Sequence, residues 1–261
     1  MAIGLYIIGD EILSGKRRDK HFTQVQDLLA ARGMQLHWAQ YLSDDPALLH
    51  MALRASFARG DVVLSCGGIG ATPDDHTRQS AAAALEVPLE LHPEAKCLIQ
   101  QRIVAAALGP LDAPANVQRL QMGMFPRGSA IIPNPYNQIP GFSIHQHFFV
   151  PGFPVMAWPM LAWVLDGPLK HLHRIGSYLE RAVVLQGAME SDLTPLMERI
   201  EREHASVKVF SLPSVDHPEW GRHIELGVKG EPQDVDCAFD ALKQGLAGLK
   251  AQIRTEVVRK L

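Results

Sequence analysis

Three glycines in four residues, Gly67-Gly68-Ile69-Gly70, follow the apolar run Asp61-Val62-Val63-Leu64-Ser65 and lead into Ala71-Thr72-Pro73-Asp74-Asp75-His76-Thr77. Glycine tolerates positive φ and close backbone approach, so consecutive N–H groups there can be aimed at an anion. A helix starting near Asp74 or Asp75 would add the positive end of its dipole. No Gly-Lys-Ser/Thr follows, so this is not a Walker loop, and the G-x-G-x-x-G spacing of a dinucleotide fingerprint is missing. Taken alone, the segment reads equally well as a tight strand-to-helix turn capped by Asp75. The carboxylates tip the balance. Asp10 and Glu11 follow Gly9 after the first apolar run, Asp44 and Asp45 follow Ser43, and Asp74 and Asp75 end the glycine loop. Such a crowd repels a phosphate unless a divalent cation intervenes, and an oxygen-rich set of this kind suits Mg²⁺ together with substrate phosphates. Individually, Asp44 or Asp45 reads as a helix cap and Asp10 as a turn anchor. Together they point to a phosphate-plus-metal cleft. Lys16, Arg17, Arg18 and Arg78 are its candidate basic partners, at least two of them expected to be ordinary solvated side chains.

These residues come together if the chain builds a parallel sheet. Residues 2–8 read as a buried strand, the Phe22-Val25-Leu28-Leu29 face as a helix stopped at Gly33, and residues 34–42 as a second strand. Asp45 and Pro46 open a helix through Phe57, and residues 61–65 form a third buried strand. Strand–helix–strand–helix–strand predicts a right-handed parallel α/β sheet, whose ligands bind outside the carboxyl ends of its strands. Gly9, Asp44 and Gly67 all fall at such ends. Helices are expected around 75–85 and 93–108, then loop-rich sequence from Pro110 to Pro140, a strand at 147–150 and a helix at 154–166. A composition shift at 167–177 reads as a linker. Beyond it the order is strand 178–186, helix 190–203, strands 206–211 and 222–229, helix 232–248 and strand 252–259. That β-α-β-β-α-β order predicts a second, small α+β domain at 175–261 beside a first domain at 1–170.

The motifs Gly9-Asp10-Glu11-Ile12-Leu13-Ser14-Gly15, Gly67 to Thr77, Pro133-Asn134-Pro135 with Pro140-Gly141-Phe142, and Pro151-Gly152-Phe153-Pro154 fall in that order. In this the chain resembles the CinA-type competence/damage-inducible family, whose N-terminal domain is similar to the MoaB/Mog molybdopterin-binding domain. The resemblance implies a three-layer α/β/α fold and a cleft for a pterin or nucleotide phosphate. It implies Asp44 and Asp75 as the functional, catalytic acids. The ligand would be held by Gly9, Asp10, Glu11, Ser14, Gly67, Gly68, Gly70, Thr72, Asp74, His76 and Thr77. Asp44, Asp75 and Glu11 would hold a divalent metal, and the cleft would hydrolyse a diphosphate such as ADP-ribose. The alternative is non-catalytic binding of molybdopterin, or a regulatory role. Related folds self-associate, so a homo-oligomer is implied. The family's deamidase domain finds no counterpart before Leu261, so nicotinamide-nucleotide deamidation is not implied. Four departures stand out: Ile69 replaces a Thr, Ala71 a frequent Pro, residues 135–140 lack the usual glycine, and Val155-Met156-Ala157 replaces the usual Arg-Glu.

The remaining features restrict the partners. The first 174 residues carry 14 basic and 14 acidic groups and the rest carry 11 and 14, so neither part is a basic nucleic-acid module. Three widely spaced cysteines form no C-x-x-C pair, which fits a reducing cytoplasm. The apolar N-terminus has no basic flank and is not expected to be a secretion signal. Residues 148–165 are uncharged but broken by Pro151, Gly152, Pro154 and Pro159, so a strand, a turn and a buried helix are expected rather than a membrane span. His145-Gln146-His147 would put two imidazoles on one strand face, but with no third ligand they are expected to be surface histidines. Cys66 reads as a buried thiol and Gly227-Val228-Lys229-Gly230 as a turn.

Overall fold

Ile3–Ile8 has no polar side to show water, and it forms β1, buried along its whole length. The computed structural model describes residues 2–174 and 179–260. The chain divides into two units, Met1–Leu29 with Gln35–Leu172, and Ala30–Met34 with His173–Leu261. Part of the expected linker, residues 175–178, and with it the first residue of the expected strand at 178, lies outside the described residues.

In the first unit β1 is followed by α1 (Asp10–Leu13), α2 (His21–Ala30), β2 (Trp38–Leu42), α3 (Pro46–Arg59), β3 (Val62–Cys66) and α4 (Thr77–Ala84). β1 pairs in parallel with β2 on one side and β3 on the other. α3 starts where Asp45 accepts the N–H groups of Ala47 and Leu48 at 2.8 and 2.9 Å and ends at Gly60 in the left-handed conformation. Next come β4 (Leu89–Leu91), α5 (Pro93–Ala105), α6 (Pro114–Leu120), β5 (Met124–Pro126), β6 (Ala130–Ile132), β7 (Gly141–Ile144), β8 (His147–Val150) and α7 (Pro154–Asp166). The main sheet runs β2-β1-β3-β8-β7-β6, parallel from β2 to β8 and antiparallel from β8 to β6. β4 and β5 pair separately. The stretch expected to be loop-rich thus holds α6 and two short strands, β5 and β6. Strands of three residues between prolines and glycines are too short to show a period. The uncharged stretch 148–165 forms the end of β8, a Pro-Gly turn and α7, and among the described residues no helix is long and apolar enough to cross a membrane.

The second unit holds β9 (Leu179–Gln186), α8 (Glu190–Glu203), β10 (Lys208–His217), β11 (Gly221–Gly230), α9 (Pro232–Leu246) and β12 (Gln252–Lys260). Its sheet is antiparallel in the order β10-β11-β9-β12. Leu193, Leu196 and Ile200 of α8 and Phe239 and Leu242 of α9 pack with Val183, Leu185, Leu226 and Val228 of the sheet. β10 runs six residues beyond the expected end at 211. Pro213 lies within it, which an edge strand tolerates. Lys229 and Gly230 belong to β11, so the Gly227–Gly230 string is strand rather than the expected turn.

Two titratable groups are buried against expectation or with consequence. The Cys66 thiol is fully buried and burial pushes its pKa up, whereas Cys97 on α5 and Cys237 on α9 are exposed. His147 was expected at the surface. It is fully buried, its ring tilted against Phe57 with centroids 3.9 Å apart, with Nδ1 2.9 Å from the His145 carbonyl and Nε2 2.7 Å from Ser56 Oγ. His145 and Gln146 instead form the turn between β7 and β8 at φ 45° and 62°, the two left-handed positions that a tight hairpin turn requires. So His145 and His147 do not share a strand face. Burial lowers the His147 pKa to about 4 from 6.5. Below pH 6.5 the unfolded chain binds a proton that the folded imidazole refuses. The stability from the neutral ring is therefore complete above pH 6.5 and lost as pH falls toward 4. Between pH 7 and 4.5 this amounts to roughly 2–3 kcal/mol. Denaturant unfolding at the two pH values will show the loss, and His147→Asn will reduce its pH dependence.

Candidate functional site

β1, β3 and β8 end together because their backbones meet without intervening side chains. Gly67 follows β3 at φ 113°, its N–H donating to the Val150 carbonyl at 3.0 Å. A Cβ on Gly67 would overlap the Ile8 carbonyl oxygen, and one on Gly152 would lie 3.4 Å from Gly67 Cα. His21, at the start of α2, is buried and its Nε2 donates to the Gly152 carbonyl at 3.0 Å, holding the turn after β8 in place. Asp19 accepts the His21 and Phe22 N–H groups and the Tyr41 hydroxyl at 2.9 Å. Burial, then the Asp19 carboxylate, pushes the Tyr41 pKa up to about 12.

The glycine loop that begins at Gly67 is braced from below. Thr77 Oγ1 donates to the Gly67 carbonyl at 3.2 Å and the Thr77 N–H to the Gly68 carbonyl at 3.1 Å. Asp75 Oδ2 accepts the Thr72 N–H at 2.9 Å and also its hydroxyl. Arg78, 3% exposed, donates to the Gly70 and Gln121 carbonyls, and its Nε has no partner. Among the described residues no carboxylate forms an ion pair with it, and burial lowers its pKa. The N–H groups of Gly68, Ile69, Gly70 and Ala71 find no acceptor among the described residues, although Ile69 is buried and the other three are half-buried. Four consecutive donors without an acceptor beside a buried guanidinium are a donor set of the kind that can receive an anion.

The carboxylates lie around this loop. Asp10 and Asp44 clasp each other's backbone: the Asp10 N–H donates to Asp44 Oδ2 at 2.9 Å, and the Asp44 N–H to Asp10 Oδ1 at 3.3 Å. Burial and the charges of Asp10, Glu11 and Asp74 raise the Asp44 pKa, against the Asp10 N–H that lowers it. The Thr72 side chain, its own N–H and His76 hold the exposed Asp74 carboxyl below the usual range. Asp45 is spent on the α3 cap.

A cavity of about 380 Å³ opens here. Of the residues expected at the site, Gly9, Glu11, Asp44, Gly67, Gly68, Gly70, Thr72, Asp74 and Asp75 line it. Asp10 and Ser14 line an adjoining hollow that shares Glu11, Asp44 and Asp74. His76 and Thr77 line neither, and Thr77 is fully buried beneath the loop. Of the basic candidates, Arg17 reaches the cavity, Lys16 the hollow, and Arg78 supports the loop from within. The expected Mg²⁺ site is not assembled. Among the described residues, no three His, Cys, Asp or Glu side chains come together as metal ligands. One oxygen each of Asp44, Asp10 and Asp75 is engaged by backbone or hydroxyl donors. Residue-by-residue reading of the sequence did not select Asn137, Phe153 and Met156, which line the cavity from the proline-framed segments. The framing prolines were the signal for them.

Comparison with known proteins agrees with this architecture. The family model described as probable molybdopterin binding domain matches residues 4–171. A CinA-like protein of Anaeromyxobacter sp. (strain Fw109-5) is 36% identical over 151 residues, 56% of this chain and 36% of that protein. A protein of Caldivirga maquilingensis is 29% identical over 236 residues, 87% of this chain and 88% of its own length. The chain thus spans about a third of the length of the CinA-like relative and most of the other. Among solved structures, the protein CinA with unknown function from Thermoplasma acidophilum superposes with a TM-score of 0.55 at 24% identity, covering 64% of this chain and 98% of that one. The family match over residues 4–171 leads to one conclusion: this chain belongs to the molybdopterin-binding-domain family.

Proposed function

We propose that the cleft binds a small phosphorylated molecule, a pterin phosphate such as molybdopterin, with its phosphate on the amides of Gly68 to Ala71. The observation that carries this reading is the set of four unsatisfied N–H groups backed by Arg78, a buried cation that forms no ion pair among the described residues and feels the Asp75 charge without contact. A phosphate would satisfy both. A second reading, hydrolysis of a nucleotide diphosphate such as ADP-ribose, is favoured by the crowd of carboxylates that raises the Asp44 pKa. Among the described residues no three metal-ligating side chains come together, so on this reading the cation would be held jointly with the substrate's own phosphates. A homo-oligomer fits either reading.

Thermal unfolding with pterin and nucleotide phosphates, with and without Mg²⁺, separates the two. A ligand at 100 times its dissociation constant adds about 2.7 kcal/mol, roughly 5–10 °C in Tm for a unit of this size. A shift that does not need Mg²⁺ supports binding without turnover. AMP release from ADP-ribose only with Mg²⁺ supports hydrolysis, and no shift with any phosphate overturns the proposal. Asp44→Asn removes one rim charge and is expected to tighten Mg²⁺-free phosphate binding about two- to five-fold at pH 8. The difference from wild type should shrink on acidification, because protonation of Asp44 removes the same charge. Isothermal titration across that pH range checks it. Gly68→Ala would place a Cβ on Thr77 Oγ1 at a residue with φ 67°. It is expected to cost about 1–3 kcal/mol of stability and to weaken phosphate binding at least ten-fold.

A further inference from the structure

A peptide unit is planar, with its C=O and the following N–H pointing opposite ways, so whatever grips a carbonyl also aims the next amide. In the glycine loop the grip comes from two places. Thr77, the first residue of α4, holds the Gly67 and Gly68 carbonyls and thereby aims the Gly68 and Ile69 N–H groups. The Ile69 carbonyl takes no donor among the described residues. The far half of the loop is held from outside its own helix. Gln118 of α6, 47 residues from Ala71, donates its Nε2–H to the Ala71 carbonyl at 2.8 Å. Arg78 spans the Gly70 carbonyl and the carbonyl of Gln121, the residue that follows α6. Both peptide units flanking Ala71 therefore depend on the segment from Gln118 to Gln121. One of them carries the open Ala71 N–H, and the other carries the Thr72 N–H that Asp75 accepts.

That segment is braced. Asn116, fully buried, donates Nδ2 to the Leu108 and Pro110 carbonyls at 3.1 and 2.7 Å and accepts the Arg119 guanidinium at 2.7 Å. Beyond Gln121, a Cβ on Gly123 would lie 3.1 Å from both Ala95 and Ile99 of α5, so the chain passes α5 closely. Phe125 then stacks on Phe142 of the main sheet with centroids 4.7 Å apart. Gln118 itself is exposed and fills no core. Its one hydrogen bond to protein is the one to Ala71.

We propose that Gln118 is a positioning residue of the glycine loop, and that the Gln118–Gln121 segment controls the loop's far half. Seated, it aims the Ala71 N–H and completes the row of four donors. Withdrawn, it leaves only the half that Thr77 holds. The inference rests on the phosphate reading and adds how that site is controlled.

Calorimetry with inorganic phosphate and AMP, together with residue-resolved amide exchange, tests it on the full chain. Gln118→Met keeps the length of the side chain and removes the donor. It is expected to weaken both anions about three- to ten-fold, the range one neutral hydrogen bond is worth. The Thr72 N–H is expected to exchange at least about five-fold faster, a local opening, while the Gly67 N–H bonded to Val150 changes less than about two-fold. Gln118→Lys offers an N–H donor again and is expected to return Thr72 exchange to within about two-fold of wild type. Exchange is the readout for that variant because its charge alone alters anion affinity. Anion binding that Gln118→Met leaves unchanged would overturn the positioning role and leave the phosphate reading standing. Faster exchange at Thr72 and Gly67 alike would make Gln118 merely structural and overturn it too. A wild type that binds neither anion would overturn both readings.

Discussion

Three chain segments meet at Gly67 at distances that leave no room for a side chain. The Ile8 carbonyl stands on one side of its Cα and Gly152 on the other, and its N–H closes on Val150. Because of that contact β1, β3 and β8 end at one level, and the loops that follow them share one opening. Everything else at the site is an elaboration of those loop ends. The Asp10–Asp44 clasp ties the end of β1 to the end of β2, His21 fixes the turn after β8, and Thr77 and Asp75 fold the glycine loop back on itself. A methyl group at Gly67 would separate the strand ends before any ligand arrived.

The electrostatics of the cleft are layered. A guanidinium sits inside the protein, behind the loop, with backbone carbonyls as its only acceptors among the described residues. Carboxylates stand on the outside, close enough to help burial raise the Asp44 pKa. An anion at the loop sees the first field at short range through a low dielectric, and the second through water that screens it. On the proposed anion reading, the rim would discriminate among anions more than exclude them, favouring one small enough to pass the acids and reach the amides.

How much of this could be read in the sequence depended on length scale. β1, β3, α3 and α7 were legible because each is long enough to show a period or an uninterrupted apolar run, and α3 also carries its cap in Asp45-Pro46. The gathering of Gly9, Asp44 and Gly67 followed from the rule that parallel strands open at their carboxyl ends. The strands between Met124 and Ile144 were not legible, being three or four residues each. His147 was misjudged because alternation was extended into His145, which is a turn residue. Arg78 was one of four candidate basic partners of the cleft, and which of the four is buried was not legible: Arg78 donates to Gln121, 43 residues away, and no local pattern encodes that.

The thiols described with the fold carry one more consequence. Cys66 is sealed in the sheet, while Cys97 and Cys237 are exposed, the first on a helix of one unit and the second on a helix of the other. The native chain thus already has one addressable sulfur per unit. A pair of dyes or spin labels on those two positions would report the distance between the units in solution, and its change when a ligand arrives, without a single engineered substitution.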